Sequence, residues 1–171
     1  MKVRGFVGHL AVLDREQFDL VLAADAFREY GASPSSRHVE QRVGEMALHL
    51  APGGLLVVVV ASPWKSPYGG ATDSRIPWVH LVVPERVIFE EFRRARPGNL
   101  ARTFDDIGVN RITLARYRRA MRESGLELVH EATNVGNGRA MALARALAGV
   151  RPLEEYVTQN AYGVWRRPSA R

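Results

Sequence analysis

Apolar residues along this chain fall either at helical spacing or in unbroken runs, a pattern typical of proteins that mix helices with buried strands. The clearest run lies in HLAPGGLLVVVV, residues 49 to 60, where six consecutive apolar residues follow Pro-Gly-Gly. FDLVLAAD, residues 18 to 25, contains a second run. Strands that are apolar on both faces belong inside a sheet that is covered on each side, as parallel strands usually are. Both runs are therefore predicted to be doubly buried strands.

A helix is predicted between these two strands. Ser35 and Ser36 offer N-caps, and Val39, Val43 and Met46 recur at helical spacing. The Pro-Gly-Gly that follows ends the helix and reverses the chain. Strand, helix and strand then form a right-handed crossover, and sheets of this kind bind ligands at the carboxyl ends of their strands.

The rest of the chain continues this alternation. Residues 62 to 78 form a loop rich in turn residues, and long ordered loops are often functional. VRGFV, residues 3 to 7, can form a short strand. Helices are predicted over residues 84 to 95, 114 to 125 and about 138 to 148, and strands over residues 126 to 132 and 160 to 167. We expect a single domain over residues 1–171.

Composition narrows the functional class. The chain has 171 residues and no cysteine, which excludes disulfides, thiolate zinc sites and a cysteine nucleophile. The five histidines are too far apart for a local metal motif, and no metal is predicted. No apolar run reaches about 20 residues, and no leader pattern opens the chain, so we expect a cytoplasmic protein that does not cross a membrane. The net charge of +6 comes with no nucleic-acid-binding motif, which makes nucleic-acid binding the weakest hypothesis.

The ordered set of motifs resembles the class I S-adenosylmethionine-dependent methyltransferases. The segments that carry the resemblance are VRGFVGHL, QFDLVLAADAFREY, HLAPGGLLVVVV, NRITLARYRRAMRESGLELVHEATN and NAYGVWRRP. The resemblance implies an α/β, three-layer Rossmann-like fold whose sheet is mostly parallel with an antiparallel last strand. It also implies S-adenosylmethionine as cofactor and methyl transfer to a small molecule.

The family's glycine-rich cofactor loop is absent from this sequence, as is the acidic residue that holds the cofactor ribose. We therefore expect an N-terminally incomplete fold that lacks the first βαβα unit. Either the reading frame begins upstream, or the short form is genuine. In both cases the strand at residues 18 to 25 lacks its family neighbour. It is expected to be an exposed edge, to pair with VRGFV, or to be covered by a homodimer or another partner.

The resemblance also implies a cofactor site. Its residues are Gly8, His9, Leu10, Ala24, Asp25, Ala26 and Phe27. His9 stands where many members carry an aspartate that accepts from the adenine amino group. A neutral imidazole can accept that hydrogen bond, and a protonated one cannot.

Substrate contacts are expected near the long loop. Their residues are Arg28, Tyr30, Trp64, Tyr68 and Trp78; the last three either wall an aromatic pocket or pin the loop to the sheet. His80 is the candidate catalytic base, with a polar niche under the loop as the alternative reading. Residues 62–122 are expected to cover the substrate. The competing hypothesis for function is a non-catalytic methyltransferase-like module that acts through protein–protein contacts.

Overall fold

A four-stranded sheet organises the computed structural model, which describes residues 16–24, 38–69, 76–107, 109, 111–135, 146 and 149–169. Its strands are β1 (Phe18–Ala24), β2 (Leu50–Ala61), β3 (Glu127–Asn134) and β4 (Asn160–Arg166), in the spatial order β1-β2-β4-β3. β1 and β2 pair in parallel, and β4 runs antiparallel to both β2 and β3. Three strands therefore point the same way and the last strand opposes them, which confirms the predicted α/β class and its antiparallel last strand.

Five helices accompany this sheet in the described part of the chain. They are α1 (His38–Leu48), α2 (Val79–Val82), α3 (Glu85–Ala95), α4 (Leu114–Glu123) and α5 (Arg151–Val157). α1, α3 and α4 lie where the sequence predicts them, whereas α2 and α5 were not predicted. The predicted strand at residues 3 to 7 lies outside the described residues, and so does nearly all of the predicted helix at 138 to 148.

One face of the sheet packs against α1 and α4. The buried residues of this core include Val39, Val43, Met46, Leu56, Val58, Val60, Leu114, Tyr117, Met121 and Trp165. At its centre the indole Nε1 of Trp165 donates to the hydroxyl of Tyr117 at 2.7 Å, so neither ring leaves a polar atom unpaired. Burial raises the pKa of Tyr117 to about 12, and the hydroxyl therefore stays neutral in the core.

The opposite face of the sheet has no described helix over it, and the prediction that β1 is buried on both faces is wrong. Side chains alternate along a strand, so every second residue of β1 and β2 points away from α1 and α4. Leu20 is 41% exposed and Leu22 71% exposed, whereas Ala23, which points to the core-facing side of the sheet, is buried. In β2, Leu55 and Val57 are likewise only partly buried.

The Pro-Gly-Gly segment also differs from its prediction, because it lies inside β2 rather than before it. β2 begins at Leu50, opposite Phe18, and the register then jumps so that Leu20 faces Leu55. The extra residues bulge out of the ladder, with Gly53 in the left-handed region at φ 79°. A single turn residue, His49, therefore separates the helix from the strand.

Ion pairs fix α5 against the rest of the fold. Arg118 on α4 donates to Glu131 on β3 at 2.9 Å and to Glu154 on α5 at 2.8 and 2.9 Å. The hydrogen bonds to Glu154 raise the pKa of Arg118 above its usual range. Bidentate contacts of this kind hold both partners in one orientation, and they set the position of the next residue, Glu155.

Adding a methyl group at Gly163 tests the packing of the Trp165–Tyr117 pair. A Cβ there would overlap the Tyr117 hydroxyl and lie 2.6 Å from the Trp165 Nε1. We expect Gly163→Ala to lower the free energy of unfolding by about 1–3 kcal/mol, because a tightly packed core resists added volume. Urea denaturation measures this change. Gly44→Ala is the matched control: nothing lies within 4 Å of its Cβ in α1, so it should stabilise the helix by about 0.5–1 kcal/mol.

Candidate functional site

The carboxyl ends of the same-direction strands meet at one edge of the sheet. Ala24 ends β1 beside Val59, and Ala61 ends β2 opposite Asn160 of β4. Asn160 in turn pairs with Asn134, the last residue of β3. Ala24 is exposed and small, so the backbone at this edge is accessible. This is the edge at which sheets of this kind bind ligands.

The loop that leaves β2 at this edge is tightly wound. The N–H of Ser66 donates to the Pro63 carbonyl at 2.8 Å, and the N–H of Gly69 donates to the Ser66 carbonyl at 3.2 Å. A Cβ at Gly69 would overlap the carbonyl oxygens of Pro63 and Trp64, so only glycine fits there. The loop is therefore an ordered structure up to residue 69.

His80 reaches back from α2 to this loop. Its Nε2 lies 2.5 Å from the Trp64 carbonyl oxygen, and the two rings meet edge to face with centroids 4.8 Å apart. A carbonyl oxygen only accepts hydrogen bonds, so Nε2 must carry the proton. In the neutral ring, Nδ1 then keeps a lone pair.

The environment of His80 favours that neutral ring. The side chain is 7% exposed. Burial lowers the pKa of His80 below its usual range, and the hydrogen bond to the Trp64 carbonyl opposes this shift only in part. His80 can therefore accept a proton through Nδ1 near neutral pH, and its Nε2 also pins α2 to the loop.

Trp64 belongs to a small second core rather than to an open pocket wall. Its ring meets Phe104 edge to face at 5.1 Å, and Phe104 meets Phe89 of α3 at the same distance. The Arg111 guanidinium lies 5.3 Å from the Trp64 ring centroid, which is cation–π range. The N–H of Trp64 donates to the Ile112 carbonyl at 2.7 Å. Trp64 thus joins the loop, α3 and the start of α4.

A second cluster forms where the loop contacts α5, and it consists of Lys65, Trp78, Glu155 and Tyr156. The indole Nε1 of Trp78 donates to the Tyr156 carbonyl at 2.8 Å. Lys65 forms an ion pair with Glu155 at 2.8 Å, and its ammonium lies 5.5 Å from the Tyr156 ring centroid. Tyr68, at the end of the same loop, is 44% exposed. Aromatic rings and one cation therefore surround the outer side of the loop.

Glu155 is the charged centre of this second cluster. Burial raises the pKa of Glu155, but hydrogen bonds from Lys65 and from the N–H of Ala115 outweigh burial and hold it below its usual range. The same Lys65–Glu155 hydrogen bond raises the pKa of Lys65. Glu155 is therefore ionised at neutral pH and tied to the first turn of α4.

Backbone strain is concentrated around the same loop. In the described residues, three non-glycine residues have positive φ: Ser62 at 43°, Trp78 at 58° and Arg111 at 50°. Ser62 follows β2, Trp78 precedes α2, and Arg111 contacts Trp64. Residues held in such conformations cluster at functional sites, where the surrounding structure forces them. The strain supports this loop as the candidate site.

The structure brings together some of the predicted site residues and separates others. His80 contacts Trp64, whereas Trp78 contacts Tyr156 instead. Gly8, His9, Leu10, Asp25, Ala26, Phe27, Arg28 and Tyr30 lie outside the described residues. Sequence reasoning missed Arg111, Glu155 and Tyr156, because they lie about 50 to 90 residues from the loop they contact and no motif marks them.

The described part of the chain contains neither a metal-binding cluster nor a membrane-spanning helix. It holds no group of three or more histidine, aspartate or glutamate side chains that could bind a metal ion. None of its helices is long and apolar enough to cross a membrane. The Ser66 hydroxyl is buried and has no hydrogen-bond partner among the described residues, which is costly in a folded protein.

Relieving the strain at Ser62 tests its origin. Ser62→Gly should raise the free energy of unfolding by about 0.5–1 kcal/mol, because glycine adopts a positive φ without the Cβ clash. Ser62→Ala is the control, since it removes the exposed hydroxyl and keeps the Cβ; it should bring no gain. Equal effects of the two substitutions in urea denaturation would contradict strain at this position.

The pKa of His80 predicts how stability depends on pH. A histidine that binds its proton more weakly when folded loses stability as the pH falls from about 6.5 through its folded pKa. His80→Gln keeps an N–H donor for the Trp64 carbonyl but cannot titrate. We expect the free energy of unfolding to fall less between pH 7 and pH 5 in this variant than in the wild type. Parallel curves would show that His80 is not buried as described.

Comparison with known proteins supports the fold. No protein-family model matches the chain, and no curated protein matches it. A SAM-dependent methyltransferase from Methanosarcina mazei matches with a TM-score of 0.52 and 12% identity, over 96% of this chain and 67% of that one. An S-adenosylmethionine-dependent methyltransferase from Mesorhizobium loti matches with a TM-score of 0.50 and 17% identity. That match covers 90% of this chain and 63% of the Mesorhizobium loti chain.

The chain is shorter than the structures it matches. It spans 53% of the N-methyltransferase NodS from Bradyrhizobium japonicum, which covers 90% of this chain with a TM-score of 0.45 and 14% identity. It spans about two thirds of the two methyltransferases with higher TM-scores. Together with the strand order and the antiparallel last strand, those two matches show that the chain has the fold of the class I methyltransferases.

Proposed function

We propose that this protein transfers a methyl group from S-adenosylmethionine to a small molecule at the carboxyl edge of the sheet. The observation that carries the proposal is the contact between His80 and Trp64 in the loop that leaves β2, at the edge of the sheet where β1 also ends. Two solved structures that share the fold, at TM-scores of 0.52 and 0.50, are S-adenosylmethionine-dependent methyltransferases.

The described residues fit the cofactor at one point. Ala24, which ends β1, has an exposed, small side chain that would allow a flat ring to approach the backbone. Gly8, His9, Leu10, Asp25, Ala26 and Phe27 would complete the site, by resemblance. When bound, S-adenosylmethionine supplies an electrophilic methyl group. The chain contributes chiefly by holding the acceptor in line with that group.

His80 is proposed as the base that takes the proton of the acceptor. Its Nδ1 lone pair would accept the proton from an acceptor O–H or N–H while Nε2 stays bonded to the Trp64 carbonyl. The ring becomes positively charged, and its hydrogen bond to that carbonyl then becomes charge-assisted and stronger. The Trp64 contact thus holds the ring in place and stabilises its protonated form.

The aromatic residues indicate an acceptor with a flat apolar part. Tyr68 and Tyr156 expose their rings on the outer side of the loop, and Trp78 lies beside Tyr156. Arg28 and Tyr30 would contribute from the segment after β1, by resemblance. Such a surface suits an aromatic small molecule better than a highly charged one.

A thermal melt of the whole chain with S-adenosylhomocysteine tests cofactor binding. At about one hundred times its dissociation constant a ligand adds about 2.7 kcal/mol, which corresponds to about 5–10 °C for a domain of this size. Adenosine is the control ligand, because it lacks the amino-acid part. A cooperatively melting sample with no shift would overturn cofactor binding by this chain.

His80→Gln separates cofactor binding from the chemical step. We expect the variant to keep the S-adenosylhomocysteine shift, because His80 faces the acceptor in this proposal. Transfer of labelled methyl groups to a panel of phenols and amines should fall about 10²–10⁴-fold. Transfer at the wild-type rate would exclude His80 as the base.

A second function is favoured by a different observation. The exposed leucines of β1 leave an apolar strip at the end of the sheet, as a protein-binding module would require. A non-catalytic role through protein contacts predicts no ligand-induced shift in the melt and a stable complex through β1.

A further inference from the structure

β1 ends the sheet of the described residues, and Asp19 is the one feature within the strand that commonly protects an edge. In the described part of the chain, no strand pairs with its outer side. Edge strands are normally protected by lysine, proline, a bulge or a covering element. The sequence of β1, FDLVLAA, contains neither lysine nor proline, and its single charge is Asp19. The bulge in β2 lies opposite the first residues of β1, on the side where the two strands pair, so it does not protect the outer side of β1.

The exposed side chains of β1 lie together on the uncovered face of the sheet. Leu20 and Leu22 point to that face, and Leu22 is among the most exposed leucines in the described residues. Beside them in the register lie Leu55 and Val57 of β2, which are only partly buried. An apolar strip of this kind next to an open edge marks an interaction surface.

We propose that a second copy of this chain pairs with β1 antiparallel, about a two-fold axis at Val21. Val21 is the middle residue of the seven in β1, so this register uses the whole strand. Leu20 then faces Leu22 of the partner subunit, and Asp19 faces Ala23 of the partner subunit. The outward N–H and C=O groups of both strands become paired, and the sheet extends across the axis from four strands to eight.

Charge and shape both favour a second copy over an unrelated strand. In the two-fold register no charged residue faces another, because Asp19 lies opposite alanine. The four leucines of the two subunits meet on the same face and cover one another, as cross-strand pairs do. A two-fold interface needs a self-complementary surface, and β1 meets this condition about its centre. The inference does not depend on methyl transfer.

The chain contains no cysteine, so a single introduced thiol reports this register directly. In the proposed dimer Val21 faces its own copy, and its Cα atoms lie about 4.5–5.5 Å apart, within disulfide range. Asp19 faces Ala23 of the partner subunit, so the two Asp19 residues of the dimer are four residues apart along the strand. This distance of about 13 Å is too long for a disulfide. Val21→Cys should therefore cross-link under mild oxidation, and Asp19→Cys, although more exposed, should not.

The outcomes distinguish the possible occupants of the edge. Cross-linking of Val21→Cys alone supports the dimer in this register. Cross-linking of both variants to the same extent would reflect random collision and would overturn it. A chain that stays monomeric with neither variant cross-linked would also overturn it, and would favour an edge covered by residues 3 to 7 of the same chain or by another partner.

A second pair of variants covers the case in which Val21→Cys does not fold. Light scattering of the wild type should give about twice the 19.0 kDa of one chain. Leu22→Lys should give a monomer, because two lysines would enter the leucine cluster. Leu100→Lys, at an 86% exposed position beyond α3, should remain dimeric. A wild type of monomer mass, or a dimeric Leu22→Lys, would contradict the proposal.

Discussion

Parallel pairing of β1 with β2 is the contact on which the rest of the molecule depends. It aligns Leu20 to Ala24 with Leu55 to Val59, so both strands end at the same edge. The approach requires glycine at position 54, where a Cβ would lie 2.8 Å from the Ala51 carbonyl oxygen and 3.0 Å from that of Phe18. Everything proposed for function follows from that shared edge, and the dimer proposal follows from the other side of β1.

Local patterns predicted the elements well and their surroundings less well. Val39, Val43 and Met46 predicted the buried stripe of α1, and Gly125, at φ 78°, lies just after α4, where that helix was expected to stop. The same reasoning failed for Leu22, because an unbroken apolar run shows that a strand is apolar and does not show how many layers cover it. Layer number depends on long-range packing, which no short window contains.

The candidate site was predictable in position and not in its partners. The strand ends indicated the loop after β2, and the loop holds Trp64 and faces His80. The contact between Trp64 and Arg111 spans 47 residues, and that between Lys65 and Glu155 spans 90. Such pairs arise from the crossover that returns the chain to α4 and from the ion pairs that position α5. Sequence spacing alone contains neither of these constraints.

Glu155 gives the site a dynamic property as well as a charge. Its carboxylate joins Lys65 of the loop to the first turn of α4, while Trp64 donates to the Ile112 carbonyl just before that helix. The loop therefore cannot open without breaking contacts to a helix of the main core. We therefore expect the amide hydrogens of the loop and of the start of α4 to exchange as one cooperative unit, so that a ligand that stabilises the loop also slows exchange in α4.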